Sequence, residues 1–278
     1  MIQTNQLFDY KGHHIAYHES GNGSPMIMMH NGGCSHIIWK NQIEHFSKTH
    51  RVIAFDMLGF GDSARPKMYY TLPLYVDILR HFIADNQLDQ PVLMGNCIGA
   101  AVALEYASQH PKKARALVLC NVCGGAAMMR YFHPYMFTRQ EGSFSEGFYK
   151  LAFSVSKLEF VKEKVVARLY GSSQINKDEV YQGILEGMRH PLQPQSRIKL
   201  IKGLHTFNKF NNYRDNPKGL PPTMIAWGGD NQVLPVKRGQ LLMERVQPDL
   251  GKVYEGQGHL LMVEAAEEFN EDIERFLD

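Results

Sequence analysis

The sequence predicts an α/β fold whose central sheet is mostly parallel and flanked by helices. Short apolar runs such as residues 25–29, 51–55 and 116–120 alternate with longer segments that favour helix, which is typical of a helix-covered parallel sheet. Glycine-containing motifs follow several of these runs, where parallel strands present their carboxyl ends and such sheets bind ligands. The strand-like runs stop between about residues 124 and 220, so the chain has a distinct central segment.

A hairpin is predicted near the start of the chain, because the strand-like residues 7–10 and 14–18 flank the turn Lys11-Gly12-His13. Buried strands are predicted from apolar runs that end in loop residues, at 25–29, 51–55, 91–94, 116–120, 222–227 and 251–255. Helices are predicted between and after them, at 38–46, 72–83, 98–109 and 264–276. The central segment is rich in aromatic residues and methionine and predicts further helices, at 162–169, 178–188 and 195–207.

The composition is that of an ordinary globular protein, with 44% hydrophobic and 21% charged residues in 278. A net charge of +2 without a lysine or arginine cluster does not favour nucleic acid or an anionic membrane surface as a partner. No apolar run reaches the roughly 20 residues of a membrane helix, and the polar N-terminus lacks a signal-peptide core. Four cysteines do not suggest a disulfide framework. We therefore expect a reduced, cytoplasmic protein that does not insert into membranes.

The motif Gly95-Asn96-Cys97-Ile98-Gly99 joins the apolar run 91–94 to the helix-forming segment 100–107. Strand, tight turn and helix is the context in which G-x-nucleophile-x-G presents a reactive side chain at a helix N-terminus. Free amides and the helix dipole favour an anion there, so we expect a lowered thiol pKa at Cys97. Cys97 is therefore the candidate nucleophile, which would form a thioester intermediate. The alternative is a small buried hydrophobic residue, as many free cysteines are.

Two later motifs contain candidates for the other two members of a catalytic triad. Gly228-Gly229-Asp230-Asn231 follows the run 222–227, and Gly258-His259 follows the run 251–255. Nucleophile, then acid or amide, then histidine is the chain order of the α/β-hydrolases. Together with His30-Asn31-Gly32-Gly33 and the segment 56–63, these motifs resemble that family over nearly the whole chain, in its capped small-molecule branch and with cysteine as nucleophile.

The resemblance implies a domain organisation and a triad. Residues 1–123 and 221–278 would form the two parts of the hydrolase core, with a helical cap at 124–220 inserted after the sixth strand. His259 would be the base. Counting four positions from Trp227 places Asn231 as the partner that orients His259, whereas a shift of one residue would give Asp230. Asparagine is chemically sufficient here, because a thiol needs less help from its base than a hydroxyl does.

The resemblance also implies the surroundings of the nucleophile. The backbone amides of Gly32 and Ile98 would form the oxyanion hole. Additional substrate-binding residues are expected in the loop at 30–33, beside the nucleophile and in the cap; they are Asn31, Gly33, Asn96, Met128 and Phe132. Cys120 and Cys123 are interpreted as packing residues at a strand end, and no histidine or cysteine spacing predicts a metal site. No cofactor is expected.

The predicted function is that of an acyl-cysteine hydrolase or acyltransferase. Its substrate would be an ester or thioester of a largely apolar acyl group, possibly presented on a carrier thiol. Two alternatives remain open at this point. One is a hydrolase that cleaves a carbon–carbon or other non-acyl bond, and the other is a non-catalytic ligand receptor built on the hydrolase fold. The sequence leaves the oligomeric state open.

Overall fold

The computed structural model describes residues 2–125, 128, 158–171, 175–211 and 219–278. In these residues eight strands form one sheet in the order β1-β2-β4-β3-β5-β6-β7-β8. The strands are β1 (Gln6–Tyr10), β2 (His13–Ser20), β3 (Ser24–Met29), β4 (His50–Phe55), β5 (Val92–Asn96), β6 (Ala116–Cys120), β7 (Thr223–Gly228) and β8 (Leu250–Tyr254). All eight strands predicted from the apolar runs are present, with ends shifted by one or two residues.

The sheet is antiparallel only at its first edge. Strand β2 pairs antiparallel with β1 and β4, and the remaining pairs are parallel. The predicted mostly parallel sheet is therefore confirmed. Because β3 lies between β4 and β5, the loops that follow β3 and β5 leave the sheet on opposite sides of one crevice, which is where such sheets bind ligands.

Helices cover the sheet on both faces. Those in the described residues are α1 (Lys40–Phe46), α2 (Leu72–Asp85), α3 (Ile98–Gln109), α4 (Glu159–Ala167), α5 (Glu179–Arg189), α6 (Gln193–Gly203), α7 (Val236–Val246), α8 (Leu261–Glu264) and α9 (Ala266–Leu277). Two predicted helices are partly 3-10 helix, at His36–Trp39 and Leu204–Phe210. The predicted helix 264–276 starts later because Ala265, in a non-helical conformation, separates α8 from α9.

The core consists of two layers, one on each face of the sheet. Strand β3 shows why: Ile27 and Met29 belong to one buried cluster, whereas Met26 and Met28 belong to the other. Successive strand side chains point to opposite faces, so a strand covered on both sides is apolar at every position. Each fully buried side chain of this size stabilises the fold by about 1.5–3 kcal/mol.

The described residues between β6 and β7 contain the helices α4, α5 and α6 and no strand, as the sequence predicts for this segment. Helix α6 reaches the crevice, since Leu200 Cδ2 lies 2.6 Å from the position a Cβ on Gly32 would take. The division into 1–123, 124–220 and 221–278 stays a prediction, and Phe132 lies outside the described residues. None of the helices that the structure describes is long and apolar enough to cross a membrane.

Candidate active site

Cys97 occupies a strained turn between β5 and α3. Its backbone has φ 56° and ψ −104°, a conformation that L-residues rarely adopt. The bracketing glycines permit the turn: a Cβ on Gly95 would lie 2.3 Å from the amide nitrogen of Ala100, and one on Gly99 would lie 2.2 Å from the carbonyl oxygen of Met29. The chain therefore has the sharp strand–turn–helix geometry that the motif predicts.

The thiol of Cys97 is not activated in this structure. The side chain is fully buried, and burial raises its pKa well above the ordinary value, with a further increase from a hydrogen bond to Cys123. The amide of Ile98 acts in the opposite direction but is the smaller effect. The expected lowering of this pKa is therefore wrong, because desolvation of the thiolate outweighs the helix N-terminus.

His259 lies against Asn231 rather than Asp230. Asn231 is buried, and its side-chain nitrogen Nδ2 is 3.1 Å from His259 Nδ1, whereas the side chain of Asp230 is exposed. Burial lowers the pKa of His259 to about 3, so the ring is neutral near pH 7. Within the described residues, the buried Nε2 atom of His259 has no hydrogen-bond partner.

A chain of side-chain amides extends from Asn231 beneath the active site. Asn231 Nδ2 donates to Asn121 Oδ1 at 2.9 Å, and Asn121 Nδ2 donates to Asn96 Oδ1 at 3.0 Å. Asn96 Nδ2 in turn donates to the carbonyl oxygen of His259 at 3.1 Å. Both ends of the Asn96 amide are thus engaged within the protein, although the sequence suggested a substrate contact. Sequence analysis did not identify Asn121 as a site residue. Its position directly after strand β6 is the signal that could have found it.

The loop after β3 is shaped by close packing. A Cβ on Gly32 would approach Ile98 Cδ1 to 2.7 Å, and Gly33 has φ +91°. Asn31 Nδ2 donates to Cys34 Sγ at 3.3 Å, so the Asn31 amide stabilises the loop. In the described part of the chain, the buried Oδ1 of Asn31 has no hydrogen-bond partner. This loop and Ile98 therefore meet beside the elbow, and an oxyanion hole formed by the amides of Gly32 and Ile98 stays a prediction.

A largely apolar cavity opens above this loop. It is lined by Asn31, Gly32, Gly33, Cys34, Met128, Val165, Leu169, Ile184, Met188, Arg197, Leu200, Ile201, Val233 and His259. Four predicted site residues of the loop and cap, together with His259, thus share one cavity. Cys97 is fully buried and is not among the residues that line this cavity.

Arg197 is the charged wall residue that sequence reasoning missed. Its Nε and Nη2 atoms lie 3.2 Å from the position a Cβ on Gly33 would take, so the guanidinium packs directly on the loop. The signal that could have found it is a single arginine in the apolar-rich predicted helix 195–207.

The segment that follows α4 contacts the loop that carries His259. The amide of His259 donates to the carbonyl oxygen of Leu169 at 2.7 Å. The carboxylate of Glu264 accepts from the amides of Gly171 at 2.7 Å and Gly258 at 2.8 Å, and so joins the segment after α4 to this loop. Sequence analysis placed Glu264 only at the start of the predicted helix 264–276 and did not identify this contact. The described residues contain no group of three or more His, Cys, Asp or Glu side chains that could hold a metal ion.

The comparisons with known proteins follow the same lines. A family model described as the alpha/beta hydrolase fold matches residues 25–266. A 2-hydroxy-6-oxo-6-(2'-aminophenyl)hexa-2,4-dienoic acid hydrolase from Metapseudomonas resinovorans is 28% identical over 264 residues, which cover 91% of this chain and 83% of the relative. A 2-hydroxymuconate semialdehyde hydrolase from Pseudomonas sp. is 38% identical over 111 residues, which cover 38% of this chain and 39% of the relative.

Among solved structures, a serine hydrolase involved in carbazole degradation has a TM-score of 0.76 at 23% identity, covering 98% of this chain and 97% of that one. A meta-cleavage product hydrolase from Pseudomonas fluorescens has a TM-score of 0.74 at 21% identity, with the same coverage. Likeness at these identities shows the fold. Since the family model spans most of the chain and includes the Cys97 elbow and the His259 loop, the chain belongs to the α/β-hydrolase fold family.

Proposed function

We propose that this protein hydrolyses a carbon–carbon bond next to a carbonyl group in a small carboxylic acid with an apolar tail. The observation that carries the proposal is Arg197 at the rim of an otherwise mainly aliphatic cavity, beside the oxyanion loop. A guanidinium pairs strongly with a carboxylate in such surroundings. The aliphatic wall from α4, α5 and α6 suits the remainder of the substrate.

The names of the two relatives support this choice of substrate. They describe hydrolases of a dienoic acid and of a muconate semialdehyde. Both names describe an acid that also carries a carbonyl group, which matches a cavity lined by Arg197 and by Gly32 of the loop after β3. The alternative reading of the sequence, cleavage of a carbon–carbon bond, is therefore preferred over thioester hydrolysis.

In this reaction the carbonyl carbon would be placed above Cys97, with its oxygen at the oxyanion amides of Gly32 and Ile98. Attack by sulfur on the carbonyl carbon would form the thioester, and the broken carbon–carbon bond would leave its electron pair on the departing carbon. That carbon takes up the proton lost by the thiol. Water then cleaves the thioester, so the net reaction adds hydroxide to the acyl fragment and a proton to the other.

A second candidate is hydrolysis of an ester or thioester through the same acyl-cysteine. It is favoured by one observation, the position of Cys97 in the strained elbow next to the amide of Ile98. The two functions differ in the leaving group, which is carbon in the first and a thiol or alcohol in the second.

Product analysis separates the two candidates. The purified protein is incubated with a 2-hydroxy-6-oxo-dienoic acid of the kind named for the relative, and with a thioester of the same acyl group. We expect release of the carboxylic acid from the dienoic acid, and loss of this activity in Cys97→Ala. Turnover of the thioester alone would favour the second candidate, and turnover of neither would contradict both.

Arg197 provides the test of substrate binding. We expect Arg197→Ala to raise KM for the dienoic acid by about tenfold or more, because a charge-assisted contact is lost, with a smaller effect on kcat. Lys199→Ala, on the same helix but outside the cavity lining, is the matched control. For the methyl ester of the substrate, which has no carboxylate, the effect of Arg197→Ala should largely disappear. Equal effects on acid and ester would contradict the assigned role.

A further inference from the structure

We propose that Asn231 and Asn121 hold His259 in the tautomer protonated on Nε2, so that the ring is a hydrogen-bond donor to a substrate oxygen and not a base for Cys97. The identity of that oxygen, the carbonyl of the keto acid, rests on the proposed function. The tautomer itself follows from the hydrogen bonds of the protein alone.

Backbone hydrogen bonds fix the orientation of the Asn231 side-chain amide. Its Oδ1 atom accepts from the backbone amides of Val233 and Leu234, both at 2.9 Å. The nitrogen Nδ2 must therefore be the atom that faces His259 Nδ1 at 3.1 Å. An amide nitrogen can only donate, so Nδ1 of the ring must accept with a lone pair. A neutral imidazole that accepts at Nδ1 carries its proton on Nε2.

Asn121, in addition to the two backbone amides, fixes the orientation of the Asn231 amide. Asn121 Oδ1 accepts from the amide of Gly228 at 3.2 Å and from Asn231 Nδ2 at 2.9 Å. Asn121 cannot turn without loss, because its Nδ2 donates to Asn96 Oδ1 at 3.0 Å and to the carbonyl oxygen of His259 at 3.2 Å. Turning the Asn231 amide would bring two oxygens together and leave two buried backbone donors unpaired.

The ring of His259 lies at the wall of the cavity. His259 contributes to the cavity lining, and its Nε2 atom is buried and without a partner among the described residues. A buried, unpaired donor is costly unless a ligand satisfies it. His259 lines the same cavity as Gly32, so a substrate oxygen bound beside the ring would accept from Nε2–H in addition to the proposed oxyanion amides.

The consequence for Cys97 is that its proton has no acceptor on the ring. In the resting site the thiol stays protonated and its side chain is hydrogen-bonded to Cys123. A carboxylate at position 231 would accept a hydrogen bond from a protonated Nδ1 and leave the lone pair of Nε2 free. The amide at position 231 thus makes Nε2 the donor and Nδ1 the acceptor of the histidine ring. Asn231 and Asn121 are therefore positioning residues.

The test reads the tautomer directly. In protein labelled with ¹⁵N-histidine, NMR at neutral pH distinguishes a protonated from an unprotonated ring nitrogen, and His259→Gln assigns the signals. We expect Nε2 protonated and Nδ1 unprotonated in the wild-type protein. Protonation of Nδ1 would overturn the inference. Because this measurement needs no substrate, it stands or falls separately from carbon–carbon cleavage.

A pair of variants tests the cause. We expect Asn231→Asp to move the proton to Nδ1 and to raise the rate of Cys97 alkylation by iodoacetamide by about tenfold or more, since Nε2 can then take the thiol proton. Gln232→Glu makes the same amide-to-acid change at the exposed neighbouring position and should leave both readouts unchanged. An unchanged tautomer in a folded Asn231→Asp protein would overturn the role of Asn231. If that variant does not fold, the wild-type spectrum still decides.

The substrate contact has its own readout. Adding the dienoic acid to folded Cys97→Ala should shift the Nε2 proton signal to lower field, as expected when a buried donor gains an acceptor. Binding that leaves this signal unchanged would overturn the donor role while leaving the tautomer intact.

Discussion

Cys97, the candidate nucleophile, lies in a strained backbone conformation. A side chain at φ 56° and ψ −104° persists only where the surrounding structure imposes the conformation, here through a bond from the Cys97 amide to the carbonyl oxygen of Cys120 at 2.9 Å. Burial and Cys123 keep the thiol protonated. The motif predicts the position of Cys97 in the elbow, but the protonation state of its thiol depends on neighbours that are distant in sequence.

The strain at Cys97 predicts an unusual order of stability. Cys97→Gly should be more stable than Cys97→Ala by about 1 kcal/mol, because only alanine retains the Cβ that disfavours this conformation. At Cys120, which lies in strand β6, the order should reverse, since glycine weakens a strand. Urea unfolding of the four variants measures the difference. Equal stability of Cys97→Gly and Cys97→Ala would mean that the elbow is not strained.

At the scale of elements, the segment after α4 and the His259 loop depend on each other. The carbonyl oxygen of Leu169 accepts from two successive amides, those of His259 at 2.7 Å and Leu260 at 3.1 Å. Glycine is required at this contact, because a Cβ on Gly258 would lie 2.3 Å from the amide nitrogen of Gly171. The segment after α4 therefore helps to position the histidine, and its Leu169 also lines the cavity.

Glu264 at the end of α8 is the side chain through which we expect this contact to be tested. Glu264→Ala removes a carboxylate that accepts from Gly171 and Gly258, and should lower the free energy of unfolding by about 2 kcal/mol. It should also lower kcat, because the His259 loop loses support. Glu267→Ala, an exposed position in the next helix, should change stability by no more than about 0.5 kcal/mol. Similar effects in both variants would contradict the bridging role.

At the scale of the whole molecule, buried neutral histidines make stability depend on pH. Burial lowers the pKa of His259 to about 3 and that of His30 to about 4, whereas both are near 6.5 when unfolded. Between these values the unfolded chain binds more protons than the folded protein. Each histidine therefore lowers the free energy of unfolding as pH falls below 6.5, by up to about 1.4 kcal/mol per pH unit.

We therefore expect urea unfolding midpoints to decrease from pH 7.5 to pH 5. His259→Gln should reduce the steepness of this decrease, since glutamine has no proton to gain. His14→Gln, at an exposed position, should leave it unchanged. His36 has a raised pKa because of hydrogen bonding and attraction to Asp56, so its contribution has the opposite sign and is lost as pH rises above 6.5. A pH dependence that His259→Gln does not alter would show that His259 is not buried in its neutral form.

The sequence by itself determined the strands, the parallel sheet and the elbow, because two-sided burial and a strand–turn–helix reversal leave local patterns in the chain. It also limited the candidates for the third member of the proposed triad to two adjacent residues, Asn231 and Asp230. Tertiary structure decided between their positions, since only Asn231 turns inward to the ring. The position of Arg197 in the cavity lining and the raised pKa of Cys97 also arise from packing between segments far apart in sequence. Which atom of an amide faces a histidine depends on the surrounding donors and acceptors, and those come together only when the chain has folded.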